Sequence, residues 1–165
     1  PKVAVIGAGI FGLTTAIKLV EKGYNVTVFE KEKDILKSAS GINQYRIHRG
    51  YHYPRSPITA EKCRDSFDTF RENFPEPIMS DTQQYYCISK ENSLTSAEDF
   101  LFFCNKLNLE YSIISDLEII KSNSVDLIVK VNEKLFDAQI LYEVLWKRLK
   151  SLSINIKFGI IIVFC

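Results

Sequence analysis

The sequence predicts an α/β fold: a parallel strand–helix–strand unit at the start, a mixed α+β segment in the middle, and a further helix and strand at the end. Three observations predict it. The apolar run Val3–Ile6 breaks into Gly7-Ala8-Gly9-Ile10-Phe11-Gly12 and then into helical spacing. A second apolar, β-branched run, Val26–Phe29, closes on Glu30. Helix and strand patterns recur at Asp137–Leu149 and Ile154–Phe158, after a long interval in which short strand patterns mix with helices.

The glycines of the opening G-x-G-x-x-G have separate tasks. Gly7 lets the chain turn out of the strand, Gly9 has no Cβ to hold a phosphate off the backbone, and Gly12 lets the following helix lie close to the sheet. The N–H groups at the start of that helix lack intrahelical acceptors, and with the helix dipole they favour an anion. Leu13, Ala16, Ile17 and Val20 form the buried stripe of the helix, and Lys22-Gly23 ends it with a cation and then glycine. Glu30, at the end of the second strand, is placed to accept hydrogen bonds from both ribose hydroxyls of an adenosine. A carboxylate there repels a 2′-phosphate, so NADP is not expected. A glycine motif alone is weak, but strand, helix, second strand and terminal acid in register point to an adenine dinucleotide on a Rossmann-like unit. Three glycines, two threonines and Lys18 interrupt the Val3–Val20 run and no basic leader precedes it, so neither a membrane span nor a signal core is expected.

Composition narrows the class. At 165 residues, 46% hydrophobic and 25% charged, the chain is ordinary globular material, and a net charge of +1 makes no case for nucleic acid. The 4 cysteines, Cys63, Cys87, Cys104 and Cys165, are scattered with no C-x-x-C pair, so neither a metal site nor a disulfide framework is expected. Reduced thiols in a cytoplasmic protein are the plain expectation, with Cys87 and Cys104 as small buried residues.

Lys31 to Ala39, charged and then small, reads as a solvated connection. The segment Ser38–Arg55 follows, and between Tyr45 and Arg55 it holds both histidines, three of the 8 tyrosines and three arginines. A solvated basic loop with aromatic anchors is the bland account. Its place shortly after the ribose-binding strand, outside the carboxyl ends of the strands, favours a site.

Val3–Lys31, the small Ser40-Gly41-Ile42-Asn43-Gln44 run, and Arg46-Ile47-His48-Arg49-Gly50-Tyr51-His52-Tyr53-Pro54 together resemble the FAD-dependent oxidoreductases of the D-amino-acid oxidase, glycine oxidase and L-2-hydroxyglutarate oxidase superfamily. Only Val3–Lys31 and Ser40–Ser56 carry the likeness specifically. The resemblance implies that Gly7, Ala8, Gly9, Ile10, Phe11 and Gly12 hold the FAD pyrophosphate, that Glu30 binds the adenosine ribose, and that Lys31 lies beside the adenosine half. It places Ser40, Gly41, Asn43 and Gln44 under the ribityl chain and flavin. His48, His52 and Tyr53 would approach the substrate side of the ring as catalytic candidates, with Arg46, Arg49 or Arg55 to hold an anion. Each histidine has a competing reading as a hydrogen-bonded loop residue.

Ser56-Pro57 starts a helix, serine as cap and proline at its first position, and Ala60, Cys63, Phe67, Phe70 and Phe74 give it one apolar face until Pro75. Gln84–Ser89 is strand-like. Thr95-Ser96-Ala97-Glu98 has capping-box spacing before a helix burying Phe100, Phe103, Cys104 and Leu107. Tyr111–Ile114, Leu117–Ile120 and Val125–Val131 are further strand candidates. Asp137 caps a helix with Ile140, Leu141, Val144, Leu145 and Leu149 on its buried face. The resemblance makes the following strand the third of the nucleotide-binding sheet, ordered 3-2-1, with an outer part of the fold absent. The tail Gly159–Cys165 is uncharged and β-forming, an aggregation hazard if unpaired, and departs from the family pattern as a truncated or frameshifted product or a fragment would.

The expected division is 1–50 as FAD-binding unit and flavin-side loop, 51–134 as part of a substrate domain, and 135–165 as the return. The function expected from the resemblance is oxidation of a C–H bond next to an amine or hydroxyl of a small anionic substrate, by hydride transfer to flavin. His48 or His52 is then the candidate base for an alcohol, since imidazole titrates near neutrality. Two alternatives stand beside it: an NAD-dependent dehydrogenase, which shares the first thirty residues, and a non-catalytic nucleotide-binding fragment.

Overall fold

The computed structural model describes residues 1–120 and 122–163; Cys165, the last of the cysteines, lies outside the described residues. In chain order the elements begin with β1 (Lys2–Ile6), α1 (Ile10–Glu21), β2 (Asn25–Phe29), the one-turn α2 (Ala39–Ile42), β3 (Arg46–Ile47), α3 (Pro57–Asn73), β4 (Ile78–Met79) and β5 (Gln84–Ser89). They continue with α4 (Ala97–Lys106), β6 (Tyr111–Ile113), a 3₁₀ turn at Ser122–Ser124, β7 (Val125–Val131), β8 (Lys134–Phe136), α5 (Ala138–Ser151) and β9 (Asn155–Lys157). Two compact units result, Pro1–Tyr45 with the return from Asp137, and Arg46–Phe136.

In the first unit β1, β2 and β9 form a parallel sheet in the order β1-β2-β9, with Val3 opposite Val26, Val5 opposite Val28, and Val28 opposite Ile156. This is the expected 3-2-1 order. Both crossovers step in the same direction, and α1 and α5 pack against each other. The helices bury Leu13, Ala16 and Ile17 from α1 and Leu141, Leu145 and Leu149 from α5. Each of those leucines is worth about 1.5–3 kcal/mol in removed apolar surface. Ile140 was expected on this face but is 39% exposed, because the stripe of Leu141, Leu145 and Leu149 leaves it on the flank. Asp137 Oδ1 accepts from the Gln139 and Ile140 amides at 2.8 and 3.0 Å, fixing the start of α5. At the other end of α1, the Gly23 amide donates to the Val20 carbonyl and the Tyr24 amide to that of Leu19, closing the helix where Lys22-Gly23 predicts.

The connection after β2 is not simply solvated. Ile35 and Leu36 are buried, and the Leu36 amide donates to the Ala8 carbonyl at 3.0 Å, so this segment is sewn to the glycine turn. After β9, Gly159 and Ile160 donate to the carbonyls of Glu32 and Glu30, but residues 159–163 form no strand, and Ile161 and Val163 stay exposed.

The second unit starts at Arg46, earlier than position 51, because Arg46 and Ile47 already pair with Leu135 and Lys134. It holds two antiparallel sheets, ordered β5-β7-β6 and β3-β8-β4. β7 is central and buries Leu127, Val129 and Val131 against Phe100, Phe103 and Cys104 of α4 and against Tyr51. The aromatic stripe of α3 packs as expected, with Phe70 against Phe74 and Phe136.

Four expectations are corrected here. The capping box is displaced by one residue: Ser96 Oγ accepts from the Asp99 amide at 3.0 Å and sits 2.7 Å from Asp99 Oδ2, while the Thr95 amide turns back to Ser93. The Ser56 hydroxyl caps no amide and pairs with the Thr59 hydroxyl instead. Leu117–Ile120 is a turn closed by Ile120 donating to the Leu117 carbonyl, with Ile119 exposed, since β-branched residues form no strand without a neighbouring edge to pair with. Cys87 is exposed because strand alternation in β5 turns it away from the face that buries Ile88; Cys104 is buried as expected. No described helix is long and apolar enough to cross a membrane, and no described group of three or more His, Cys, Asp or Glu residues could hold a metal ion.

Candidate functional site

The first unit gathers residues distant in sequence around the start of α1. Gly7 adopts φ +97°, a conformation that costs an L side chain energy, and its amide donates to the Phe29 carbonyl at 2.8 Å, fixing the turn to the end of β2. A Cβ on Gly12 would stand 2.0 Å from the Gly7 carbonyl oxygen, so the helix can approach the turn this closely only with glycine there. Gly9 is the N-cap of α1 and offers no capping side chain. The Ile10 amide is met instead by Ser40 Oγ at 3.2 Å, thirty positions later in the chain. Gly41, beside it, is packed so tightly that a Cβ would stand 2.0 Å from the Leu36 carbonyl oxygen.

Glu30 completes the arrangement. It is 8% exposed; Oε2 accepts from the Ala8 amide at 2.5 Å and Oε1 from the Glu32 amide at 2.9 Å. The carboxylate is thus held against the glycine turn by two charge-assisted backbone bonds. The start of α1 turns its dipole toward an anion, the Ala8 and Ile10 amides being engaged by Glu30 and Ser40, and Glu30 keeps acceptor lone pairs beside them. A diphosphate bridging to a ribose is the group whose chemistry this donor–acceptor pair fits. Around it, Phe11 is 88% exposed, and Lys31 is exposed with its ammonium 3.8 Å from Glu32. Asn43 and Gln44 are exposed; Asn43 Oδ1 accepts from the Tyr45 amide, and the Tyr45 hydroxyl donates to the Gly41 carbonyl.

The second unit holds the histidines. The His48 and His52 rings stack at 5.5 Å, and Tyr53 lies edge-on to both, at 6.2 and 5.3 Å. Of the three arginines, Arg46 donates to the Tyr86 hydroxyl at 3.2 Å, and Arg49 lies over the Phe67 ring at 4.8 Å and donates to the Asn132 carbonyl. Arg55 is exposed. Beneath them lies Glu133, whose side chain is fully buried: Oε1 accepts from the Arg49 amide at 2.8 Å and Oε2 from the Tyr86 hydroxyl at 3.0 Å. Burial, then the Glu133 charge, push the Tyr86 phenol well above its ordinary range.

The sequence profile of the family described as "FAD dependent oxidoreductase" matches residues 2–121. The chain belongs to that family. It is 33% identical over 93 residues to FAD-dependent monooxygenase kojA of Aspergillus flavus, a match covering 56% of this chain and 22% of the relative. With L-2-hydroxyglutarate dehydrogenase of Indibacter alkaliphilus it shares 34% identity over 68 residues, 40% of this chain and 17% of the relative. Among solved structures, the fold matches FAD-bound L-α-glycerophosphate oxidase of Mycoplasma pneumoniae with a TM-score of 0.69 at 15% identity, covering 96% of this chain and 44% of that one. The chain therefore spans less than half the length of the proteins it matches.

The first unit brings together the glycine turn, Glu30 and Ser40, and leaves Asn43 and Gln44 at the surface. Glu133 and Tyr86 were missed. Val131-Asn132-Glu133-Lys134 has the look of a solvated hairpin turn. The available signal was indirect: several cationic side chains crowded into one segment need a buried counter-charge.

Proposed function

We propose that the first unit binds FAD, with its diphosphate at the start of α1 and its adenosine ribose on Glu30, and that the complete protein oxidises a C–H bond next to an amine or hydroxyl of a small anionic substrate. The observation that carries this is the convergence of the Ala8 and Ile10 amides, Glu30 and Ser40 on one turn. When bound, the flavin supplies the hydride acceptor. The chain's own residues hold and orient it: the α1 amides meet negative charge, Gly9 leaves the approach open, and Ser40 Oγ and Gly41 fix the segment alongside. The superfamily resemblance is what assigns His48, His52 and Tyr53 to the substrate, and in that role His48 or His52 takes the hydroxyl proton of an alcohol. Arg46, Arg49 and Arg55 are proposed as anion partners, and the exposed Arg55 is the one best able to meet a carboxylate.

Titration of the purified chain with FAD, followed by quenching of flavin fluorescence, tests the binding. Glu30→Ala removes hydrogen bonds to a charged group, worth about 1.5–3 kcal/mol, so affinity is expected to fall by at least about tenfold. Equal affinity for FAD in wild type and variant refutes the ribose assignment. Binding of NAD with no binding of FAD refutes the flavin reading altogether. The monooxygenase relative favours a second reading of the chemistry, in which an oxygen atom from dioxygen ends in the product; isotopically labelled dioxygen separates the two.

A further inference from the structure

Among the described residues, the buried polar or charged side chains are Glu30, Gln84 and Glu133. Glu30 belongs to the glycine turn; Glu133 has no part in that site. A buried carboxylate costs several kcal/mol of desolvation, and replacing buried ion pairs with packed apolar residues is often neutral or stabilising, so its retention asks for a reason beyond stability. Its neighbours supply one. Oε2 is engaged by the Tyr86 hydroxyl and lies 3.7 Å from Arg46 Nη1, while Oε1 holds the Arg49 amide and lies 3.6 Å from His48 Nδ1. His48 Nδ1 is buried and has no hydrogen-bond partner, although 30% of the His48 side chain remains exposed. Solvent therefore reaches the ring at its other atoms, and Glu133, held in place by the Arg49 amide and the Tyr86 hydroxyl, is the carboxylate that faces Nδ1.

We propose that Glu133 is the positioning residue of His48. It draws the imidazole proton onto Nδ1 and leaves the Nε2 lone pair free to accept a proton. This rests on the reading of His48 as the proton-handling group. In the step it serves, the substrate O–H bond breaks, its proton forms the Nε2–H bond, and the resulting imidazolium stands against the Glu133 carboxylate until water takes the proton from Nε2. Arg46 and Tyr86 hold the carboxylate from its other oxygen, so His48 is presented with a fixed acceptor.

The test needs no cofactor and no turnover. With isotope-labelled imidazole nitrogens, NMR at a pH where the rings are neutral reports which nitrogen carries the proton. The chain has 2 histidines, so His52→Gln assigns both signals. In the wild-type chain His48 is expected in the Nδ1–H form, opposite to the form that predominates in free histidine. In Glu133→Leu the Nδ1–H to Nε2–H ratio is expected to fall severalfold toward that of free histidine, since the carboxylate 3.6 Å from Nδ1 is gone. A carboxylate that merely braces the hairpin would leave the wild-type ring in the free-histidine form, and that result, or an unchanged ratio in a folded Glu133→Leu, overturns the proposal. The wild-type measurement stands even if the variant does not fold. Because it is made without FAD, its failure is separate from a failure of the flavin titration.

Discussion

Substituting Gly12 by alanine sets two effects of known size against each other. Alanine is favoured over glycine within a helix by about 0.8–1.0 kcal/mol, and Gly12 lies in the first turn of α1. Against that, the new methyl would stand 2.0 Å from the Gly7 carbonyl oxygen and 3.1 Å from its carbon, where real Cβ contacts do not fall below 3.0 Å. The helix must back away from the turn by about 1 Å, and the obstacle is backbone that no rotamer change can move. Overpacking of this kind costs about 1–3 kcal/mol or more, and with a rigid obstacle the upper value applies, so the net is a loss of about 2 kcal/mol. For a urea m-value of about 2 kcal/mol/M, the unfolding midpoint drops by about 1 M. Trp146, the chain's 1 tryptophan, sits in α5 of the same unit, so its fluorescence follows the transition of interest. FAD affinity falls with it, because the displaced amides are those proposed to meet the diphosphate. A midpoint that stays put or rises would refute the reasoning: it would mean that the turn yields freely and helix propensity wins.

Three other outcomes are expected. Asp137→Ala removes the acceptor for the Gln139 and Ile140 amides and should cost about 1 kcal/mol, read as a lower urea midpoint, with Asp137→Ser recovering most of it. Among the described cysteines of the native protein, a thiol reagent should modify the exposed Cys87 first; Cys104, fully buried and with its thiol pushed up to about 12 by burial, should react only on unfolding, as peptide mass mapping would show. Stability should be flat below pH 10 on account of Tyr51 and then fall: burial raises its phenol from 10.0 to about 12, so the unfolded chain ionises first and gains on the folded one between those values. Tyr86 shifts in the same direction, and Tyr51→Phe should flatten part of that alkaline decline in urea midpoints measured across pH.

The sequence by itself determined the parallel strand–helix–strand unit and the elements whose periodicity is long, while the order of the sheet came from the family resemblance. Gly7, Gly9 and Gly12 between an apolar run and a helical stripe admit few backbones, and Gln84–Ser89 and Val125–Val131 are strands at the positions their β-branched and aromatic residues mark. Glu30 was legible because an acid ending a buried strand is exceptional in a local window. Tertiary structure decided what local pattern leaves degenerate. Leu117–Ile120 has strand composition but no edge to pair with, and Cys87 and Cys104 differ in burial by strand parity and helix face, not by residue type. Ile35 and Leu36 are buried because their segment folds back onto Ala8, a contact no spacing encodes. Glu133 is the clearest case. Its neighbours in sequence make it a turn residue, and only the meeting of β3, β5 and the β7–β8 hairpin, separated by tens of residues, turns it into a buried carboxylate facing His48. Burial and charge pairing are sums over neighbours in space, and the chain alone lists neighbours along a line.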